Sequence, residues 1–171
     1  MAEERGRAEG GMSAYDFGFT TIDGGALPLS AYRGRPLLIA NTASFCGFTP
    51  QLAELEKVWR RYRPRGLIVI GVPSNDFGEQ EPGSAAEIKQ FCSSRYAVDF
   101  PLTEKQRVIG TAAHPLFRWI AETLGDAGAP RWNFHKYLIG PDGGLAGAWP
   151  SSVRPVDDAI IAELEKLLPA G

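Results

Sequence analysis

Residues 41–51, Asn-Thr-Ala-Ser-Phe-Cys-Gly-Phe-Thr-Pro-Gln (NTASFCGFTPQ), join an apolar run to an amphipathic one. The run they complete, Pro36 to Ser44, suits a central strand buried on both faces. Beyond them Leu52, Leu55, Val58, Trp59 and Tyr62 recur at three- and four-residue steps and predict an amphipathic helix over 48–63. Cys46 therefore falls where a buried strand hands over to a helix. Backbone N–H groups and the positive end of a helix dipole at such a place favour a thiolate over a thiol. Gly47 leaves the sulfur approachable. A structural cysteine buried at a strand end is the competing interpretation of the same pattern.

Outward from this stretch, strands and helices alternate. Tyr15 to Ile22, an Asp23-Gly24-Gly25 turn and Ala26 to Leu29 form a small N-terminal hairpin. Gly66 to Val72 is a second central strand, and Ser84 with Glu87 is a capping box that opens a helix to about Tyr96. A further helix is expected over Pro115 to Leu124, a strand over Asn133 to Ile139, another over Leu145 to Trp149, and a closing helix over Val156 to Leu168. The order β-α-β-α, then β-β-α, predicts an α/β domain of thioredoxin-like fold, its mixed central sheet flanked by helices, with the hairpin added.

The whole chain is consistent with that. It has 171 residues, enough for one domain, and its 18 basic against 20 acidic residues give no basic field for nucleic acid. Two cysteines and two histidines are too few for most metal clusters or for a disulfide-stapled mini-protein. No apolar run approaches the roughly 20 residues of a membrane span. Residues 1–12 mix charge with glycine, lack a signal-like apolar segment, and predict a flexible tail ahead of one domain over 13–171, with Met12 as another plausible start. The chain is accordingly expected in a reducing cytoplasm.

NTASFCGFTPQ, followed by NDFGEQEPGS (75–84) and WNFHKYLIGPDG (132–143), resembles the glutathione peroxidase family in order and spacing, from about Tyr15 to the last helix. The resemblance implies that Cys46 attacks peroxide and that Gln80, Trp132 and Asn133 gather around its sulfur. A Gln amide, an indole N–H and an Asn amide are neutral donors able to hold a thiolate and a developing alkoxide, so no cofactor and no metal is needed. Taken alone, Gln80 reads equally as a surface loop residue and Trp132 as a core aromatic.

Cys92 shares a helix face with Ile88 and reads either as core filler or as a resolving cysteine. Family members that run on thioredoxin carry a Cys at this place, which implies an intramolecular Cys46–Cys92 disulfide recycled by thioredoxin rather than glutathione. A disulfide needs Cα atoms within about 7 Å, so the segment around Cys92 is expected to unwind partly to form it. Phe45 and Phe48 offer apolar contact to organic and lipid hydroperoxides, and Phe48 equally suits packing at a helix start. The short LGDAGAPR link (124–131) lacks the long insertion of the tetrameric animal enzymes, which implies a monomer, or at most a weak dimer, with an open site.

Some positions depart from the family pattern. Ser74 stands where relatives often have Cys and Asp76 where they often have Gln; Asp76 is expected to point outward. Ile109 and the WPSSVRP segment (149–155) are expected not to touch the site. Rival functions are a redox sensor that relays Cys46 oxidation to a partner, glutathione-dependent turnover, and an inactive binding module. A Cys46–His135–Asn133 hydrolase triad, with both partners on one face of a strand, and a zinc site from the two Cys and two His are weaker alternatives. His114, just before the helix that begins at Pro115, is expected to be a capping or a surface residue.

Overall fold

The structure, a computed structural model, describes residues 12–169, so apart from Met12 the expected tail lies outside the described residues. Gly18–Thr20 (β1) and Ala26–Pro28 (β2) pair antiparallel as the hairpin, preceded by a 3-10 turn over Ala14–Asp16 that Ser13 caps. Leu37–Thr42 (β3) follows and leads through residues 43–50 to the helix Gln51–Tyr62 (α1). The helix starts later than its apolar spacing suggests, because residues 47–50 form turns and Pro50, lacking an N–H, occupies its N-cap.

Ile68–Pro73 (β4) runs parallel to β3, Leu37 opposite Ile68 and Thr42 opposite Pro73. Then come the helices Ala85–Tyr96 (α2) and Pro115–Leu124 (α3). Lys136–Ile139 (β5) pairs antiparallel with β3, and Leu145–Trp149 (β6) closes the sheet in the order β4-β3-β5-β6 before Asp158–Leu167 (α4). The expected mixed sheet and added hairpin are both present, and no described helix is long and apolar enough to cross a membrane.

Both faces of β3, β4 and β5 are buried, so alternate residues serve two cores. Leu37, Ile39, Ile70, Val72, Tyr137 and Ile139 pack with α3 and the hairpin. Leu38, Ala40, Val69 and Leu138 pack with α1, α2 and α4. The capping box on α2 is formed: Ser84 Oγ accepts from Glu87 N–H and Glu87 accepts from Ser84 N–H. Yet only Ile88 and Cys92 of this helix's 12 residues are buried, so α2 is held lightly from below.

One charged residue sits in the sheet. Lys136 is fully buried on β5, its Nζ donating to Gln51 Oε1 at 2.8 Å and to the Ser151 carbonyl at 3.2 Å. Burial pushes its ammonium down to about 7, against the weaker pull of Glu54 and Asp157. An unfolded lysine holds its proton to about pH 10.4, so above pH 7 the unfolded chain binds more protons and stability rises with pH; this contribution is lost as pH falls through 7. Urea unfolding at pH 7 and pH 9 checks this: the wild type should gain about 2 kcal/mol over Lys136→Met across that interval.

Candidate active site

Strand directions bring three segments together. β3 and β4 are parallel and β5 antiparallel to them, so residues following β3, residues following β4 and residues preceding β5 meet at one end of the sheet. These segments carry Cys46, Gln80, and Trp132 with Asn133, respectively.

The Cys46 loop is closed by Thr49. Cys46 N–H donates to Thr49 Oγ1 at 2.9 Å, Thr49 N–H donates to the Cys46 carbonyl at 3.0 Å, and Thr49 Oγ1 donates to the Ala43 carbonyl at 2.9 Å. With its backbone satisfied locally, Cys46 is half-buried and its Sγ accepts the Phe48 N–H at 3.4 Å. Phe45 N–H donates to the Gln80 carbonyl at 3.0 Å, which ties this loop to the one after β4.

Gln80 is tied in turn to the third segment, its Oε1 accepting from Asn133 Nδ2 at 2.8 Å. That bond uses the carbonyl end of Gln80 and leaves its amide end to donate. Trp132, 37% exposed, packs its ring on Phe77 with centroids 5.6 Å apart. The indole lies so close to the 74–83 loop that a Cβ on Gly78, where φ is +65°, would come within 3.2 Å of it. Cys46, Gln80, Trp132 and Asn133 therefore belong to one connected cluster.

What holds that cluster was not visible in the motifs. Asn41, fully buried at the end of β3, donates from Nδ2 to the Trp132 carbonyl at 3.0 Å and accepts His135 N–H at Oδ1 at 3.2 Å. Its own carbonyl accepts Phe134 N–H at 2.7 Å. The three bonds clamp residues 132–135 in a bend where Phe134 takes φ of +62°, a strained value for a side chain of this size. The strand expected from Asn133 therefore begins only at Lys136.

The bend also takes away the shared strand face on which the hydrolase alternative rested, since residues 133–135 are not in a strand. His135 stacks on Tyr137 at 4.9 Å, and burial with the nearby Arg131 and Lys136 pushes its imidazole down to about 4. Of its two expected roles His114 takes the cap of α3, its Nδ1 accepting Leu116 N–H at 3.1 Å.

Two expectations about the departures are corrected. The WPSSVRP segment does touch the site: Ser151 Oγ donates to the Asn133 carbonyl, and the Ser151 carbonyl accepts from Gln51 Nε2 at 2.8 Å. Asp76 does not point out to solvent. Its side chain is 5% exposed and turns toward residues 107–109, accepting from Arg107 Nε and Val108 N–H at 2.7 Å each and from Ile109 N–H at 3.2 Å. A carboxylate so bonded keeps its low energy without a partner at Cys46.

Cys92 stands apart from the cluster. Both cysteines are free thiols, and Cys92 is buried among Ile88, Phe100 and Leu102. Desolvation, with the charge of Glu81 adding, pushes its thiol up to about 12. It borders a cavity of about 310 Å³ between α2 and residues 98–102. Ile88 and Phe91 border a different cavity of about 310 Å³, beside Phe45. Phe45 is 65% exposed and reaches across to Phe91, ring centroids 6.2 Å apart, and Phe48 is 37% exposed.

A thioredoxin-like sheet with a half-buried thiol just beyond the end of its central strand, on a loop hydrogen-bonded to the one that carries Gln80, defines a class of thiol-based oxidoreductases. The comparisons with known proteins narrow it. The glutathione peroxidase family profile matches residues 14–121. The chain is 43% identical over 169 residues to the hydroperoxy fatty acid reductase gpx1 of Synechocystis sp., covering 94% of this chain and 99% of that one. The crystal structure of Trgpx in its apo form superposes with a TM-score of 0.70 at 34% identity, over 92% of this chain and 99% of that one. A thioredoxin-family thiol:disulfide interchange protein from Chlorobium tepidum shares the fold, with a TM-score of 0.66 at 16% identity over 88% of this chain and 92% of that one. The chain belongs to the glutathione peroxidase family and is an oxidoreductase of the peroxidase type.

Replacing Asn41 by Ala leaves buried backbone groups of Trp132 and His135 without partners, each worth about 1–3 kcal/mol. Asn41→Ala should lose roughly 2–4 kcal/mol in urea unfolding. Its peroxidase activity at full occupancy of the folded state should fall with it, as the 132–135 bend relaxes.

Proposed function

We propose that this chain reduces hydrogen peroxide and organic hydroperoxides at Cys46, resolves the oxidised cysteine with Cys92, and is recycled by thioredoxin. The observation that carries it is the chain of hydrogen bonds from the Cys46 loop through Gln80 to Asn133, with the Phe48 N–H on the sulfur. The Cys46 thiolate attacks the near peroxide oxygen, the O–O bond breaks, and the departing alkoxide leaves as alcohol or water after taking a proton. Gln80, Trp132 and Asn133 donate hydrogen bonds to the thiolate and then to the leaving oxygen. Cys46 becomes sulfenic acid, Cys92 displaces its hydroxyl as water, and the disulfide is reduced by the dithiol of thioredoxin.

The light burial of α2 supports a Cys92 that leaves its helix, because few apolar contacts must be given up. For the substrate, Phe45 and the cavity formed with Pro82, Ile88 and Phe91 offer apolar surface to an acyl chain, and the Synechocystis relative is named for a hydroperoxy fatty acid. We take the chain to act as a monomer in a reducing compartment, where the bond is made and broken in each cycle.

Peroxide consumption by the wild type, Cys46→Ser and Cys92→Ser, each with thioredoxin and with glutathione, checks the cycle. Cys46→Ser should be inactive with either reductant. Cys92→Ser should lose thioredoxin-driven turnover, and after one equivalent of peroxide should gain oxygen where the wild type loses two hydrogens. Full thioredoxin-driven turnover by Cys92→Ser would remove the resolving role.

A further inference from the structure

Glu81 is a buried acid that the peroxide step does not use. It follows Gln80, is 1% exposed, and is anchored by its N–H donating to Asn75 Oδ1 at 2.9 Å. Its Oε1 has no hydrogen-bond partner, and neither has Ser44 Oγ, although Ser44 stands close enough to moderate the carboxyl's acidity. Ser44 lies two residues before Cys46. On the other side the charge of Glu81 acts on the Cys92 thiol. Ser44, Phe45, Glu81 and Pro82 form one wall of the cavity beside Phe45, and Ile88 and Phe91 of α2 form the other. A carboxyl with one oxygen unpartnered thus stands between the two elements that carry the cysteines.

Disulfide formation has two proton requirements. The Cys92 S–H must lose its proton for the sulfur to attack, and the hydroxyl leaving Cys46 must gain one. Desolvation holds the Cys92 thiol protonated in its buried place, so it sets out protonated and an acceptor on its way to Cys46 matters. Desolvation raises the Glu81 carboxyl, against the pull of Ser44 and the charge of Lys105, which brings it nearer the thiol it would serve. The acid of Glu87 borders the same cavity and is committed to the Ser84 cap.

We propose that Glu81 is the general base, and then the acid, of the resolving step. Its carboxylate takes the Cys92 thiol proton as that sulfur bonds to the Cys46 sulfur, and the carboxylic acid formed gives the proton to the departing hydroxyl. One S–H and one S–O bond break, and one S–S and one O–H bond form. The Cys92 sulfur is oxidised, the sulfenic sulfur of Cys46 is reduced, water leaves, and no outside oxidant is needed. This inference rests on Cys92 being the resolving cysteine.

The test is a single turnover of the reduced full chain with one equivalent of hydrogen peroxide, quenched by alkylation and read by mass. The readout is the rate of disulfide formation relative to the sulfenic acid formation before it. That ratio should fall about 100-fold in Glu81→Gln, the scale of a lost general base. Glu81→Ala should be equally slow and should recover at least about tenfold with formate, which the adjoining cavity admits, as chemical rescue of a general base requires. An undiminished ratio in Glu81→Gln, or no recovery with formate, overturns the role of Glu81 while leaving the cycle intact. If the wild type itself forms no Cys46–Cys92 disulfide, the resolving role fails, and the inference with it.

Discussion

The site depends on Asn41. A sheet that pairs β3 antiparallel with β5 necessarily brings the entry to β5 beside the exit from β3, but proximity alone does not fix side chains. Asn41 turns proximity into geometry: both ends of its amide and its own carbonyl are spent on residues 132–135. The strained Phe134 backbone persists because those bonds, and the full burial of the Phe134 ring, outweigh it. With that bend fixed, Asn133 meets Gln80, and Gln80 holds the Cys46 loop through Phe45. Behind it, Ser151, Gln51 and Lys136 brace the Asn133 carbonyl from the far side of the sheet end.

The two cysteines occupy opposite environments, and the difference is chemical. Cys46 leaves the sheet on a short loop, half-buried, with a backbone N–H on its sulfur and solvent nearby. Cys92 is on the buried face of α2, where desolvation keeps it a thiol. A buried thiol is a poor nucleophile until something exposes it or takes its proton. The proposed resolving step asks α2 for the first condition: the helix is capped at its start but buries little along its length, and its end is a left-handed Ala97 rather than a glycine. Opening it would withdraw only Ile88 and Cys92, among its buried residues, from the core shared with α1 and α4.

Much of this was legible in the sequence, for identifiable reasons. β3 and β4 appear as unbroken apolar runs because both their faces are buried, and the ends of α2 and α3 are marked by Ser84 with Glu87 and by Pro115. The motifs around Cys46, Gln80 and Trp132-Asn133 lie on the three segments that the strand directions bring to one end of the sheet. The remainder depends on tertiary contacts. No local pattern announces that Phe134 is left-handed, so the start of β5 was misplaced. Asn41 reads as one more strand residue, and Ser151 reaches Asn133 across 18 residues of sequence. Asp76 appears as a loop acid until Arg107, Val108 and Ile109 are seen to enclose it.

In the proposed mechanism the donors of Gln80, Trp132 and Asn133, and not the thiol alone, carry the peroxide step. The most direct test is the second-order rate constant for Cys46 oxidation by hydrogen peroxide, measured by stopped flow in the wild type and in Gln80→Ala. A fall of about 10²–10³-fold is expected in the variant, the scale of losing one aligned donor to a developing oxyanion. Equal rate constants in the two proteins would contradict it.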